Sequence, residues 1–159
     1  MEQKSEKYSS WLQYWVGVIH RIYIRSMVQW MVSWSETGKL ASGCTVIIGM
    51  CSRLPDLLPA NLSCLRRAQW PDLKEVIIVL DAPINGFSES FAVRICEEFK
   101  DLNVRFLFYT RMQSAIADLL KRPYVYSWLS WALAIKDVRT DSFYIHHCDA
   151  LLLDNVLQA

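Results

Sequence analysis

Hydrophobic residues follow two different patterns along this chain. Between Tyr8 and Trp34, polar or small residues recur at every fourth position and leave aromatic and aliphatic side chains on the remaining surface. This spacing predicts an amphipathic helix with a narrow polar stripe. Small and polar residues from Gly38 to Gly43 then break the pattern. We therefore divide the chain into an aromatic-rich N-terminal helix with its linker, residues 1–40, and a second domain, residues 41–159.

From residue 41 onward, short β-branched or aromatic runs alternate with helical patterns. Four runs fit buried strands: CTVIIG (44–49), EVIIVL (75–80), NVRFLFY (103–109) and SFYIHH (142–147). Helical spacing is found between them, at 55–69, 88–100, 114–120 and 124–138. This alternation predicts an α/β fold with a mainly parallel, Rossmann-like sheet and flanking helices. The carboxyl ends of the strands then share one edge of the sheet, where ligands of open α/β folds bind.

Composition narrows the functional classes. The 17 Lys and Arg residues nearly balance the 16 Asp and Glu residues, so the chain has no basic field of the kind that binds nucleic acid. The five cysteines are odd in number and contain no CxxC pair, which predicts that most are reduced, buried thiols in a reducing compartment. We therefore expect a cytoplasmic protein that does not bind nucleic acid.

Besides a linker remnant from a longer protein, the N-terminal helix leaves two interpretations open. It lacks the features of a signal peptide, and no uninterrupted apolar run reaches the roughly 18 residues that a membrane span needs. One interpretation is a helix that packs on its own domain or on another subunit. The other is a peripheral helix on the inner face of the membrane, with Trp and Tyr at headgroup level and Arg21 and Arg25 facing lipid phosphates.

The residues that follow each predicted strand are the candidates for chemistry. They are Met50–Arg53, Asp81, Thr110 with Arg111, and His147–Asp149. No GxGxxG or P-loop glycine motif is present to bind phosphates, so a divalent cation held by a carboxylate is the expected substitute. His147 and Asp149 are two apart on an extended strand and point to the same side. The alternative is that Asp149 caps a turn and His147 bonds to the backbone.

Three ordered segments carry a family resemblance. TVIIGMCSR, the helix end and strand QWPDLKEVIIVLD, and SFYIHHCDALLL together resemble the opening of family 2 glycosyltransferases, which have the GT-A fold. The resemblance implies a UDP- or GDP-sugar donor bound through Mg²⁺ or Mn²⁺. It implies that Asp81 contacts the base, that Asp149 binds the metal, and that the turn of Met50, Cys51, Ser52 and Arg53 lines the base pocket.

The sequence departs from the family pattern at three points. His147 stands where the family usually has an Asp that touches the ribose or the metal, and Ser52 stands where Asn is common. Imidazole still hydrogen-bonds a ribose hydroxyl or ligates Mn²⁺ but supplies no negative charge. The acceptor-binding half, with the general base of inverting enzymes, does not follow Asp149, so we expect an incomplete domain and assign no catalytic residue.

Other interpretations compete with this one. A non-catalytic interaction or membrane-associated module with a degenerate glycosyltransferase fold is the main alternative, and a sugar-phosphate nucleotidyltransferase relative is disfavoured because its glycine-rich opening is missing. A thiolate and imidazole metal site fits no zinc spacing. We expect Trp128 and Trp131 in the core, Arg111 on the surface, and solvated charges at Asp137, Arg139 and Asp141.

Overall fold

The computed structural model describes residues 2–32, 38–52, 54–120 and 123–148. The chain forms two compact units, Met1–Ser33 and Trp34–Ala159. The first unit consists of helix α1, Glu2–Met31, which confirms the helix predicted from the polar stripe. Within the described part of the chain, no helix is both long and apolar enough to cross a membrane.

The second unit contains every strand and helix that the sequence predicts, in the predicted order. The bounds of these elements differ from the predicted ones by at most three residues. They are β1 Ala41–Met50, α2 Leu57–Ala68, β2 Leu73–Leu80, α3 Gly86–Glu98, β3 Val104–Phe108, α4 Arg111–Leu120, α5 Pro123–Ile135 and β4 Thr140–His147, with a short 3-10 turn, Lys100–Leu102, before β3.

Local side-chain contacts explain where two of the helices begin. The Asn85 side chain accepts a hydrogen bond from the Ser88 backbone N–H at 2.9 Å, and the Asn85 N–H donates to Ser88 Oγ at 2.8 Å. This reciprocal pair satisfies N–H groups at the start of α3. Thr110 and Gln113 exchange the equivalent bonds, of 3.1 and 2.8 Å, at the start of α4. Thr110, a candidate from its place after a strand, therefore has a structural role.

The four strands form one parallel sheet in the order β3-β2-β1-β4, as the alternation of strands and helices predicts. The chain builds β1, β2 and β3 outward in one direction and then crosses back to add β4 on the other side of β1. The change in direction lies between β1 and β4. In open α/β sheets the crevice at such a switch point, beyond the carboxyl ends of the strands, is the usual ligand site.

Helices cover both faces of this sheet. On one face, alternate β1 and β2 residues such as Val46 and Ile78 pack against α2 and α3 through Leu62 and Ile95, all fully buried. On the other face lies α5, and a Cβ added at Gly49 of β1 would stand 3.4 Å from the Ser130 Cβ. This close approach brings α5 down onto the carboxyl end of β1, so that α5 forms a wall of the switch point.

Candidate functional site

A cleft of about 260 Å³ opens at the carboxyl ends of the strands. Its walls come from the ends of β1, β2 and β4 and from α5. The lining residues are Gly49, Met50, Cys51, Leu54, Asp81, Tyr126, Ser127, Ser130, Trp131, His146, His147 and Cys148. The strand topology thus brings together five residues that the sequence singles out, from three separate segments: Met50, Cys51, Asp81, His147 and Cys148.

Asp81 is fixed at the mouth of this cleft by the backbone of the neighbouring strand. The Asp81 N–H donates to the Met50 carbonyl at 3.2 Å, and the Ser52 N–H donates to Asp81 Oδ1 at 2.6 Å. A carboxylate acceptor makes this a short, charge-assisted bond. It joins the turn after β1 to the end of β2, which places Ser52 beside the cleft. Among the described residues no hydrogen bond reaches Asp81 Oδ2, so this oxygen is available to a ligand.

His147 and Trp131 form the opposite wall. The exposed imidazole of His147 meets the indole of Trp131 edge-on, with ring centroids 5.7 Å apart. Trp131 is half-buried and lines the cleft, so the expectation that it lies in the core is wrong. Trp131 directly follows Ser130, whose Cβ would stand 3.4 Å from a Cβ added at Gly49, so this part of α5 lies against the carboxyl end of β1. An aromatic wall of this kind suits a planar base or the apolar face of a sugar.

Two predicted site residues, Arg53 and Asp149, lie outside the described residues. Arg111 is exposed in the first turn of α4 and does not line the cleft, as expected for a surface residue. In the described ranges no group of three or more His, Cys, Asp or Glu side chains is arranged to hold a metal ion.

The sequence also made predictions for the cysteines and for the acidic residues around the start of β4. All five cysteines are free thiols, as predicted, but only Cys44 and Cys64 are buried, so the expectation that most of them are buried is wrong. Asp137 is not a purely solvated charge, because its Oδ2 lies 3.2 Å from Arg105 Nη1 on β3. Asp141 is exposed, yet its Oδ1 accepts a hydrogen bond from the Gly43 N–H at 3.1 Å. Both carboxylates therefore help to hold the amino-end side of the sheet.

Tyr109 lies beneath the α5 wall and was not singled out by the sequence. Its hydroxyl donates to the Tyr126 carbonyl at 2.8 Å and pairs with Ser130 Oγ at 2.9 Å. Burial raises the pKa of Tyr109 above its ordinary value; the Ser130 hydrogen bond opposes this rise and the charge of Asp81 adds to it. The residue therefore stays neutral and anchors α5 at the position where Tyr126 and Ser130 line the cleft.

A pH-dependent loss of stability follows from the environment of Tyr109. Because the pKa of Tyr109 is raised in the folded state, the folded protein binds the phenolic proton more tightly than the unfolded chain does. The resulting contribution to the free energy of unfolding is fully present below the ordinary tyrosine pKa of about 10. The free energy of unfolding should fall as pH rises above that value, and more steeply for the wild type than for Tyr109→Phe. Urea unfolding between pH 8 and 11 measures both slopes. Identical slopes in the two proteins would contradict this assignment. Both proteins contain the same cysteines, so the difference between the two slopes excludes the contribution of cysteine titration.

Comparison with known proteins identifies no relative of this chain. No protein-family model matches the chain, and neither a curated protein nor a solved structure is significantly similar to it.

Proposed function

We propose that residues 41–159 are the donor-binding part of a glycosyltransferase of the family 2, GT-A type. In this proposal the domain binds a nucleotide-diphospho-sugar, with UDP or GDP as the nucleotide, through Mg²⁺ or Mn²⁺, and the sugar passes to an acceptor. The resemblance of the sequence to that family motivates the proposal. The all-parallel sheet with order β3-β2-β1-β4 and the cleft at its switch point are compatible with it.

One observation supports the proposal most: the bond between the Ser52 N–H and Asp81 Oδ1 at the mouth of the cleft. It holds the carboxylate beside the turn after β1, the two features to which the resemblance assigns base recognition. With Oδ1 engaged, Oδ2 is the acceptor left for a base N–H, which both uracil and guanine carry. His147 lines the same cleft, and in this proposal its imidazole hydrogen-bonds a ribose hydroxyl.

The proposed cation ligand in this chain is Asp149, the residue to which the resemblance assigns the metal. Mg²⁺ keeps several waters and is commonly held by one or two carboxylates together with substrate phosphates. Asp149, with the donor diphosphate and water, meets that requirement without a preformed cluster of protein ligands. A bound cation would neutralise the diphosphate and stabilise it as the leaving group. The acceptor site and general base are proposed to belong to a further half of the enzyme, as the resemblance implies.

Calorimetric titration of the folded chain with UDP and GDP, each with and without Mn²⁺, tests this function. The proposal predicts binding of at least one nucleotide, with an affinity that increases when Mn²⁺ is present. UMP serves as the control, because it keeps the base and ribose but lacks the bridging diphosphate, so Mn²⁺ should change its affinity little. Absence of binding in every combination would contradict the proposal.

A second candidate function is favoured by the surface of α1. Nine large apolar side chains of this helix are between 45% and 68% exposed: Trp11, Leu12, Tyr14, Trp15, Val16, Ile19, Ile22, Tyr23 and Trp30. Arg21 and Arg25 are also exposed, and no acidic residue occurs between Glu6 and the end of the helix. A helix rich in Trp with basic residues and no acids is typical of a membrane interface. Under this alternative the chain is a non-catalytic module on an anionic, inner-leaflet surface.

Vesicle co-sedimentation measures this second function. The double variant Trp11→Ala/Trp15→Ala should bind phosphatidylglycerol-containing vesicles about tenfold or more weakly, because it removes two exposed indole rings. Arg25→Gln should weaken binding about fivefold, and only to anionic vesicles, from the roughly 1 kcal/mol that one basic residue contributes near a charged surface. Gln13→Ala, on the polar stripe, is the matched control. Equal sedimentation of all four proteins would exclude a membrane role for α1.

A further inference from the structure

Asn61 is a fully buried polar residue in a position where the helix pattern calls for an apolar one. It lies on the same side of α2 as Leu58, Leu62 and Leu65, with 0% of its surface exposed. A buried amide is costly unless its hydrogen-bonding groups find partners. The pattern of this helix alone therefore gives no reason for an asparagine here, and its contacts supply one.

The Asn61 side chain uses all of its polar groups. Its Nδ2 donates to the Leu57 carbonyl at 2.9 Å and to the Cys148 carbonyl at 2.7 Å, and its Oδ1 lies 2.7 Å from His146 Nε2. Two carbonyl acceptors require the NH₂ group on their side, which settles the orientation of the amide. Oδ1 must then accept, so His146 carries a hydrogen on Nε2.

These two long-range bonds reach the end of β4, where the sheet ladder stops. The last pair between β1 and β4 is Gly49 with His147, so the Cys148 carbonyl lies beyond the ladder. Asn61 holds the residues on both sides of His147: the buried His146 ring and the Cys148 carbonyl. His147 itself points to the other side and lines the cleft with Trp131.

We infer that Asn61 is a positioning residue for the cleft: it clamps the end of β4 to α2 and thereby sets where His147 stands. The predicted effect of Asn61 on ligand affinity rests on the proposed nucleotide-binding function. Its effect on the geometry at the end of β4 is independent of that function. A displacement of a ligand-binding group by about 1 Å is enough to weaken its contribution severely.

The test compares Asn61→Ala with Leu62→Ala. Leu62 is the next residue on α2 and is fully buried in the core, so its truncation destabilises the fold without touching the clamp. We expect Asn61→Ala to weaken UDP binding in the presence of Mn²⁺ about tenfold or more, and to speed hydrogen exchange at the His147 and Cys148 amides. NMR of the His146 ring should show a protected Nε2–H in the wild type and its loss in this variant. Leu62→Ala should lower the melting temperature at least as much while UDP affinity stays near wild type.

A second pair of variants decides the matter if Asn61→Ala fails to fold. His146→Gln keeps an N–H donor for Asn61 and should retain the slow hydrogen exchange of the His147 and Cys148 amides, whereas His146→Leu should speed that exchange. If the wild type binds no nucleotide, the proposed function fails, and the ring signal and amide exchange still test the clamp. The inference is overturned if Asn61→Ala leaves the ring signal and amide exchange unchanged. It is equally overturned if Leu62→Ala weakens binding as much as Asn61→Ala.

Discussion

Replacing Asp81 by asparagine is expected to weaken UDP binding by about 30-fold, equivalent to about 2 kcal/mol. The Ser52 N–H requires an acceptor at Oδ1, so the asparagine oxygen takes that place and its NH₂ group takes the place of Oδ2. A donor then faces the donor N–H of the base, and the negative charge is lost. Because the bond to Ser52 is retained, the fold should survive, and calorimetry compares the two affinities directly.

The control for this variant is Asp72→Asn, which removes the same charge. Asp72 is exposed just before β2, at the opposite end of the strand from Asp81. We expect Asp72→Asn to bind UDP with the affinity of the wild type. Wild-type affinity in Asp81→Asn would show that this carboxylate does not read the base.

Truncation of Ile47 to alanine is expected to lower the free energy of unfolding by about 3–4 kcal/mol. Ile47 lies on the central strand β1 between Ile77 of β2 and Ile145 of β4, and its side chain is fully buried. Large-to-small changes at such positions cost about 2–5 kcal/mol, because they remove apolar contacts and leave a cavity. Urea unfolding at neutral pH gives the difference.

An exposed isoleucine provides the comparison for Ile47. Ile84 follows β2 and is 61% exposed, so Ile84→Ala should change the free energy of unfolding by less than about 0.5 kcal/mol. Similar small losses in the two variants would be incompatible with β1 as a central strand covered on both faces.

The sequence predicts the sheet well because each central strand is recognisable from its own short stretch of residues. Ile47 and Ile77 belong to short β-branched runs, which are typical of strands buried on both faces, and the helical spacing between them predicts parallel crossovers. The meeting of Asp81 and His147 at one cleft follows from that topology, because parallel strands end at a common edge. The contact between Asp81 and Ser52 was not predicted, although both residues were candidates.

The residues that the sequence analysis missed depend on partners distant in the chain. From the sequence alone, Asn61 is an ordinary polar residue of a helix. Its partners His146 and Cys148 lie 85 and 87 positions later in the chain. Tyr109 ends a hydrophobic run, and only the packing of α5 shows what its hydroxyl binds. Trp131 has the spacing of a core residue, and only the position of α5 beside the end of β1 shows that it lines the cleft. No local pattern carries such long-range information.

The proposed function requires that a cation-bridged diphosphate binds at the carboxyl ends of β1, β2 and β4. Paramagnetic broadening of backbone amide signals by Mn²⁺ in the presence of UDP measures this directly, with Mg²⁺ as the diamagnetic control. We predict that the backbone amide signals of Cys51, Ser52, Asp81 and His147 broaden first, together with that of Asp149. Broadening centred on the amino ends of the strands, near Leu73 and Val104, or no selective broadening at saturating UDP, would contradict it.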